Sequence, residues 1–226
     1  AYVPRRVRLL FALALTVAIA PLLPAAPPVA LLSVQSLIIA AQQLLVGIAC
    51  GLLLQLVFDA IGLGGQLLAN SMGLSFAFNV DPQRGAATPA LGQFYMVLVT
   101  LTFVTLDGHL RMIELLFASF AQLPIGTDGI GAAGLSQWLA AAALLFEGAL
   151  RVALPGLTAL LIVNISFGVL SRAAPALNLF AVGFPLALLL GLLAVLISLP
   201  VVQSAFLAVA DRAFAAVDRI LAAGVQ

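Results

Sequence analysis

His109 is the chain's single histidine, and it follows Asp107 by two residues in Leu106-Asp107-Gly108-His109-Leu110. An imidazole near a carboxylate is half of a proton relay, or a general base. The plainer reading is a loop residue at a helix junction. With no second histidine and one cysteine, Cys50, the ligand count excludes a zinc hydrolase and an internal disulfide. Ser75 stands in Gly73-Leu74-Ser75-Phe76-Ala77, one residue type short of a nucleophile elbow and without a positioned base. The chain has no lysine, so no glycine-rich, lysine-bearing phosphate loop exists. An enzyme is therefore not expected, nor a cofactor or a metal.

The remaining ionisable candidates lie inside apolar segments, where charges are costly and usually pair or line a path. Glu147 and Arg151 stand four apart, so an intrahelical ion pair is the cheaper explanation. Asp59 closes the uncharged run Leu9–Phe58 and marks either a proton path or the point where that helix leaves the apolar zone. Asp59, Asp107, His109 and Glu147 are the candidate proton-path residues. A different chemistry attaches to Met72, Phe76 and Phe78, bulky apolar side chains among Gly73, Asp81-Pro82 and Gly85. Ordinary packing accounts for most Phe and Met. Here the neighbouring turn signals deny them a regular helix, and a deformable Met suits a seal that must reopen.

Composition decides what must hold these residues. Of 226 residues, 64% are hydrophobic and 8% charged, against about 25% charged in soluble domains. The outside must therefore meet lipid or other protein. Leu9–Phe58 and Ala173–Ala210 carry no ionisable residue except Cys50, and each has room for more than one bilayer crossing of about 20 residues. The nine basic residues are all Arg and are scattered, so no groove for nucleic acid can be built. Arg5, Arg6 and Arg8 precede an apolar run, but Pro21–Pro28 is no cleavage site, so the start is expected to be a truncated N-terminus rather than a signal peptide.

Proline, glycine and charge predict the elements, since periodicity fades when every face is apolar. Val7–Ala20 is a short helix, and Ser33–Phe58 a long one capped by Ser33 or Ser36. The long helix carries Gln42, Gln43 and Gln55, with Gly47 and Gly51 at the small-xxx-small spacing that admits another backbone. Gly62, Gly64 and Gly65 then open a broken stretch reaching Gly85. Pro89–Leu106 and Leu110–Leu123 flank the break at Asp107, and Pro124–Gly134 is a polar loop. Leu135–Ala153 and Pro155–Leu170 are split at Arg151 and Pro155. Leu177–Leu199 is kinked at Gly183 and Pro185 and ended by Pro200, leaving Val201–Ala223 amphipathic. Its stripe is Phe206, Val209, Ala213, Phe214, Val217 and Ile220. The fold class is all-α, made of kinked and broken apolar helical hairpins associated with a membrane. The arginines at 5, 6, 8, 172, 212 and 219 suggest a cytoplasmic C-terminus.

Several segments in order resemble the FliR family of the bacterial flagellar export apparatus. They are Gln42-Gln43-Leu44-Leu45-Val46-Gly47, Met72-Gly73-Leu74-Ser75-Phe76-Ala77 leading to Asp81-Pro82, Leu106-Asp107-Gly108-His109-Leu110, Leu123-Pro124-Ile125-Gly126, Leu170 to Asn178, and Gly183-Phe184-Pro185-Leu186. The resemblance spans essentially the whole chain. Family members normally carry a further apolar helix ahead of Pro4, and often an aromatic or aliphatic residue where this chain has Asn79.

The resemblance implies one R-type subunit packed with several P-type and Q-type subunits into a helical hetero-oligomeric export gate. The gate passes unfolded flagellar proteins across the inner membrane at the basal body, with B-type and A-type export proteins as further partners. Residues 1–134 would be P-subunit-like, with a plug loop near 72–85. Residues 135–226 would hold a Q-subunit-like hairpin over 176–223. Met72, Phe76, Phe78, Asn79, Asp81 and Pro82 would form the gate, Phe76 foremost. Assembly would fall to Gln42, Gln43, Gly47, Gly51, Arg172, Pro175 and Pro185. The alternatives are an injectisome subunit of the same architecture and, from a different class, a small-solute secondary transporter with midplane charges.

Overall fold

In the computed structural model, the described residues are 3–23, 27–30, 33–74, 90–126, 129–173 and 179–223. Among them the chain is all helix, with no strand. The helices are α1 (Arg5–Ile19, continued by a 3-10 turn Ala20–Leu22), α2 (Val34–Ser71), α3 (Ala90–Thr105), α4 (Gly108–Gln122), α5 (Ala132–Ala141), α6 (Leu144–Ala173) and α7 (Leu179–Ala223). Three stretches are long and apolar enough to cross a membrane, namely Val34–Ser71, Ala132–Ala173 and Gly183–Ala223. The pair α3 and α4 qualifies only if taken together.

The chain divides into two compact units. The first comprises Ala1–Cys50, Gly108–Trp138 and Ala216–Gln226. Here Ser33 caps α2: the Ser36 backbone N–H donates to Ser33 Oγ at 3.1 Å, and Ser36 Oγ donates to the Ser33 carbonyl at 2.7 Å. Such a cap contributes about 1 kcal/mol. Trp138 Nε1–H donates to the Ala49 carbonyl at 3.1 Å, fastening α5 to α2. Gly134 is already helical and lies against the Ile220 carbonyl, so the polar loop ends earlier than Gly134. By contrast, α1 buries no residue at all.

The second unit comprises Gly51–Asp107 and Leu139–Ala215. Its centre is the C-terminal half of α2, and the glycines there do the opposite of what their sequence context suggests. Gly62, Gly64 and Gly65 do not break the helix; α2 runs through them to Ser71. A helical glycine costs about 1 kcal/mol relative to Ala, and close packing offsets it. A Cβ on Gly65 would sit 2.9 Å from the Gly92 Cα and 3.1 Å from the Leu91 carbonyl, so α2 and α3 touch backbone to backbone. Gly62 meets Met96 while Gly65 meets Gly92, so the two helices run antiparallel.

Against α6 the contacts form a ladder. Ala60 faces Gly148, Gly64 faces Val152 and Leu68 faces Gly156, stepping four residues on both helices in the same direction. The two helices therefore run parallel, with one stripe of each interlocked. Phe58, Phe103 and Phe206 close the centre, with ring centroids 5.3 and 5.5 Å apart around Phe58.

Three further boundaries differ from the sequence expectation. The break comes at Ala142–Ala143, and α6 then passes through Arg151 and Pro155 without interruption. Likewise α7 is one helix of 45 residues through Pro185 and Pro200, not two helices divided at Pro200. Packed neighbours hold a helix together across the bond a proline removes. The C-terminal hairpin is accordingly made by α6 and α7. Gly148 meets Val209 far from the connection between them, which sets the two side by side in opposite directions. The stripe Phe206, Val209, Ala213, Phe214, Val217 and Ile220 is buried as its spacing predicts.

Replacing Gly65 with Ala forces backbone apart and is expected to cost about 1–3 kcal/mol. Gly47→Ala, where no atom lies within 4 Å of the new methyl, should stabilise the isolated chain by up to about 1 kcal/mol. Thermal unfolding in detergent compares the two; equal shifts would contradict the backbone contact.

Candidate functional site

The helix α2 ends in a defined way. The Leu74 N–H donates to the Ala69 carbonyl and the Gly73 N–H to the Asn70 carbonyl, both at 3.1 Å. These are the paired bonds of a Schellman cap, and Gly73 supplies the left-handed residue it needs, at φ 79°. Met72 is thereby held at the helix terminus and is only 1% exposed. Its side chain lies on Gly191 of α7, where a Cβ would meet Met72 Cγ at 2.5 Å and Cε at 2.7 Å. Of the gate set, Phe76, Phe78, Asn79, Asp81 and Pro82 lie outside the described residues, so Met72 alone has an observed position.

The assembly set divides between two sides of α2. Gln42 lies against Gly129, so close that any side chain at 129 would collide with the amide. Gln42 Oε1 and Gln43 Nε2 are sealed from solvent without a hydrogen bond. Each such amide atom costs about 1–3 kcal/mol until it finds a partner. Gly47 and Gly51 are exposed, with nothing within 4 Å of a Cβ at either, so their spacing serves no helix of this chain among the described residues. Exposed Leu44, Ile48 and Leu52 flank them. Arg172 is exposed in the last turn of α6, where its charge complements the helix dipole. Pro185 is exposed on α7, and Pro175 lies outside the described residues.

The ionisable candidates each have local surroundings of their own. Glu147 is paired with Arg151 at 3.7 Å, the spacing its sequence position implies. It also accepts a direct hydrogen bond from Arg212 of α7, which sequence spacing did not reveal. The only hint was the Asp-Arg doublet at 211–212 repeated at 218–219, which reads as a polar face. Asp59 accepts a long contact from Gln55 at 3.4 Å, one turn back on its own helix. Asp107 is exposed at the junction, with a left-handed φ of 55° that Asp tolerates better than most residues. His109 Nδ1 is sealed and makes no hydrogen bond. No group of three His, Cys, Asp or Glu is placed to hold a metal among the described residues. What the described geometry offers is a pinned helix end, seated on a second helix, and a bare apolar face.

The chain matches the family described as bacterial export proteins, family 1, over residues 1–213. It is 42% identical over 190 residues to the flagellar biosynthetic protein FliR of Escherichia coli K12, covering 84% of this chain and 72% of that one. The FliR of Pectobacterium carotovorum is 38% identical over 197 residues, covering 87% and 75%. The FliR of Aquifex aeolicus is 32% identical over 200 residues, covering 88% and 77%.

The Glu147–Arg212 pair is about half exposed on both partners, so screening limits it to about 0.2–1 kcal/mol. Arg212→Glu should lower the melting temperature, and with Arg151 replaced by Ala throughout, so that no like charge faces position 147, the exchange Glu147→Arg with Arg212→Glu should recover most of the loss. Failure of the exchange to recover it would mean that the pair contributes nothing to joining α6 and α7.

Proposed function

The chain belongs to the bacterial export proteins, family 1, and from that membership we propose that it is the R-type core subunit of the flagellar type III export gate. In this reading it packs with several P-type and Q-type subunits, with B-type and A-type export proteins adjoining. The assembly conducts unfolded flagellar proteins across the bacterial inner membrane at the basal body. No catalytic role is assigned to any residue; the work is mechanical and dielectric. An apolar collar around Phe76 and Phe78, rooted at Met72, excludes water and ions when empty and yields to an extended polypeptide.

One observation carries the reading. The long apolar stretches bury only 28%, 22% and 28% of their most apolar windows inside the chain. Lipid would cover a uniformly apolar face. The exposed side of α2 is not uniform, since it presents the bare backbone of Gly47 and Gly51 and, one turn on, the exposed amide of Gln55. Small residues and amides on apolar helices are the features through which helices pack on one another. At about 1.5 Å per residue, α2 is about 57 Å long and α7 about 68 Å, well beyond a hydrocarbon layer of about 30 Å. Sibling subunits would cover what extends past the bilayer.

Two results test it. Phe76→Ala should leave the complex assembled and raise its ion leak; an unchanged seal in an assembled complex counts against the collar. Gly47→Leu with Gly51→Leu should leave the chain folded but abolish co-purification with the small apolar sibling subunits. Retained co-purification would show that this face meets lipid instead.

A further inference from the structure

A helical glycine is costly, so Gly191 in the middle of α7 calls for a cause. The one the structure offers is Met72, whose Cγ, Sδ and Cε occupy the space where a Cβ would stand. This contact continues the ladder along α2. Positions 60, 64 and 68 meet α6, and position 72, the next step of four, meets α7 instead.

The rungs differ in kind. Between α2 and α6 the contacts include backbone, since a Cβ on Gly64 would meet the Ala149 carbonyl at 2.9 Å. The side chains there are short or branched: Ala60, Val152 and Leu68. At the fourth rung an unbranched, flexible thioether lies on Gly191 along its length from Cγ to Cε. Met72 is also the last residue before the left-handed Gly73. On the other side, α7 carries Pro185 and Pro200 to either side of Gly191, and each removes a helical hydrogen bond. The ladder therefore ends, at the terminus of α2, in its one contact made by an unbranched side chain.

We propose that Gly191 is a positioning residue of the gate. It is the seat that holds Met72, and through it the end of α2, in the closed state, and it releases Met72 when polypeptide passes. This rests on the export-gate reading and adds to it the α7 residue against which the gate is set. The empty seat would accept the methionine again without any rearrangement of α2 against α6.

The test uses the assembled complex in cells, with ion leak and export rate normalised to the amount of complex. Gly191→Ala displaces Met72, and Met72→Ala removes it. Each should raise leak several-fold, to a similar level, and the double variant should leak no more than either single. Met72→Leu should stay near the parent. A tight Gly191→Ala complex, or leaks that add in the double variant, overturns the seat. So does a Gly191→Ala defect confined to the amount of complex and restored by Met72→Ala, because the role is then packing alone. Phe76→Ala separates the two readings. If it leaks while the Met72 and Gly191 variants are tight, the seat fails and the gate stands. If all three are tight, both readings fall. If only the Met72 and Gly191 variants leak, the seat stands and the seal belongs elsewhere than Phe76.

Discussion

Backbone-to-backbone approach at glycine is the constraint on which this structure turns. Between apolar helices in an apolar medium little hydrophobic force is available, and dispersion at close range must hold the pair. Gly65 against Gly92 brings α2 to α3, and Gly64, Gly148 and Gly156 bring α2 to α6. Tyr95 is 0% exposed because its ring closes over Gly65. The seat of Met72 on Gly191 is the last member of the same series. Enlarging an early rung would therefore move every later contact along α2, including the helix end that the family resemblance places at the gate.

The polar groups add little to that framework. The Glu147–Arg151–Arg212 cluster lies at the surface, where solvent screens it. Thr and Ser hydroxyls along the helices mostly donate to carbonyls one turn back, as Thr100 does to Met96 and Thr158 to Leu154. Such bonds hide a polar group within its own helix, and they leave interhelix recognition to shape. Gln42, Gln43, Tyr95 and His109 are the exceptions, with sealed atoms that nothing among the described residues satisfies.

Much of the architecture was legible in the residues because it is local. Ser33 capping α2, the junction at Asp107 and the buried stripe from Phe206 to Ile220 each depend on a few neighbouring positions. The misread elements are those decided elsewhere in the chain. A glycine cluster means a turn unless a facing helix fills its notches, and Gly92 and Val152 lie far from Gly64 and Gly65 in sequence. Pro155 and Pro200 end helices in water, but packed helices carry them within. Arg212 reaches Glu147 across 65 positions, beyond the reach of any spacing rule. For the gate, the residues beyond Leu74 rest on family resemblance, whereas the anchoring of Met72 comes from the structure alone.

The bond from Trp138 to the Ala49 carbonyl also has an optical consequence. The chain contains a single tryptophan, and this bond fixes its half-buried indole two residues from Gly47 and Gly51 on α2. Its emission thus arises from one known point on the helix whose outer face is in question. Quenching by brominated acyl chains would occur if that point lies in hydrocarbon, and would be absent if neighbouring protein shields it. The molecule carries its own depth gauge, with no label to be added.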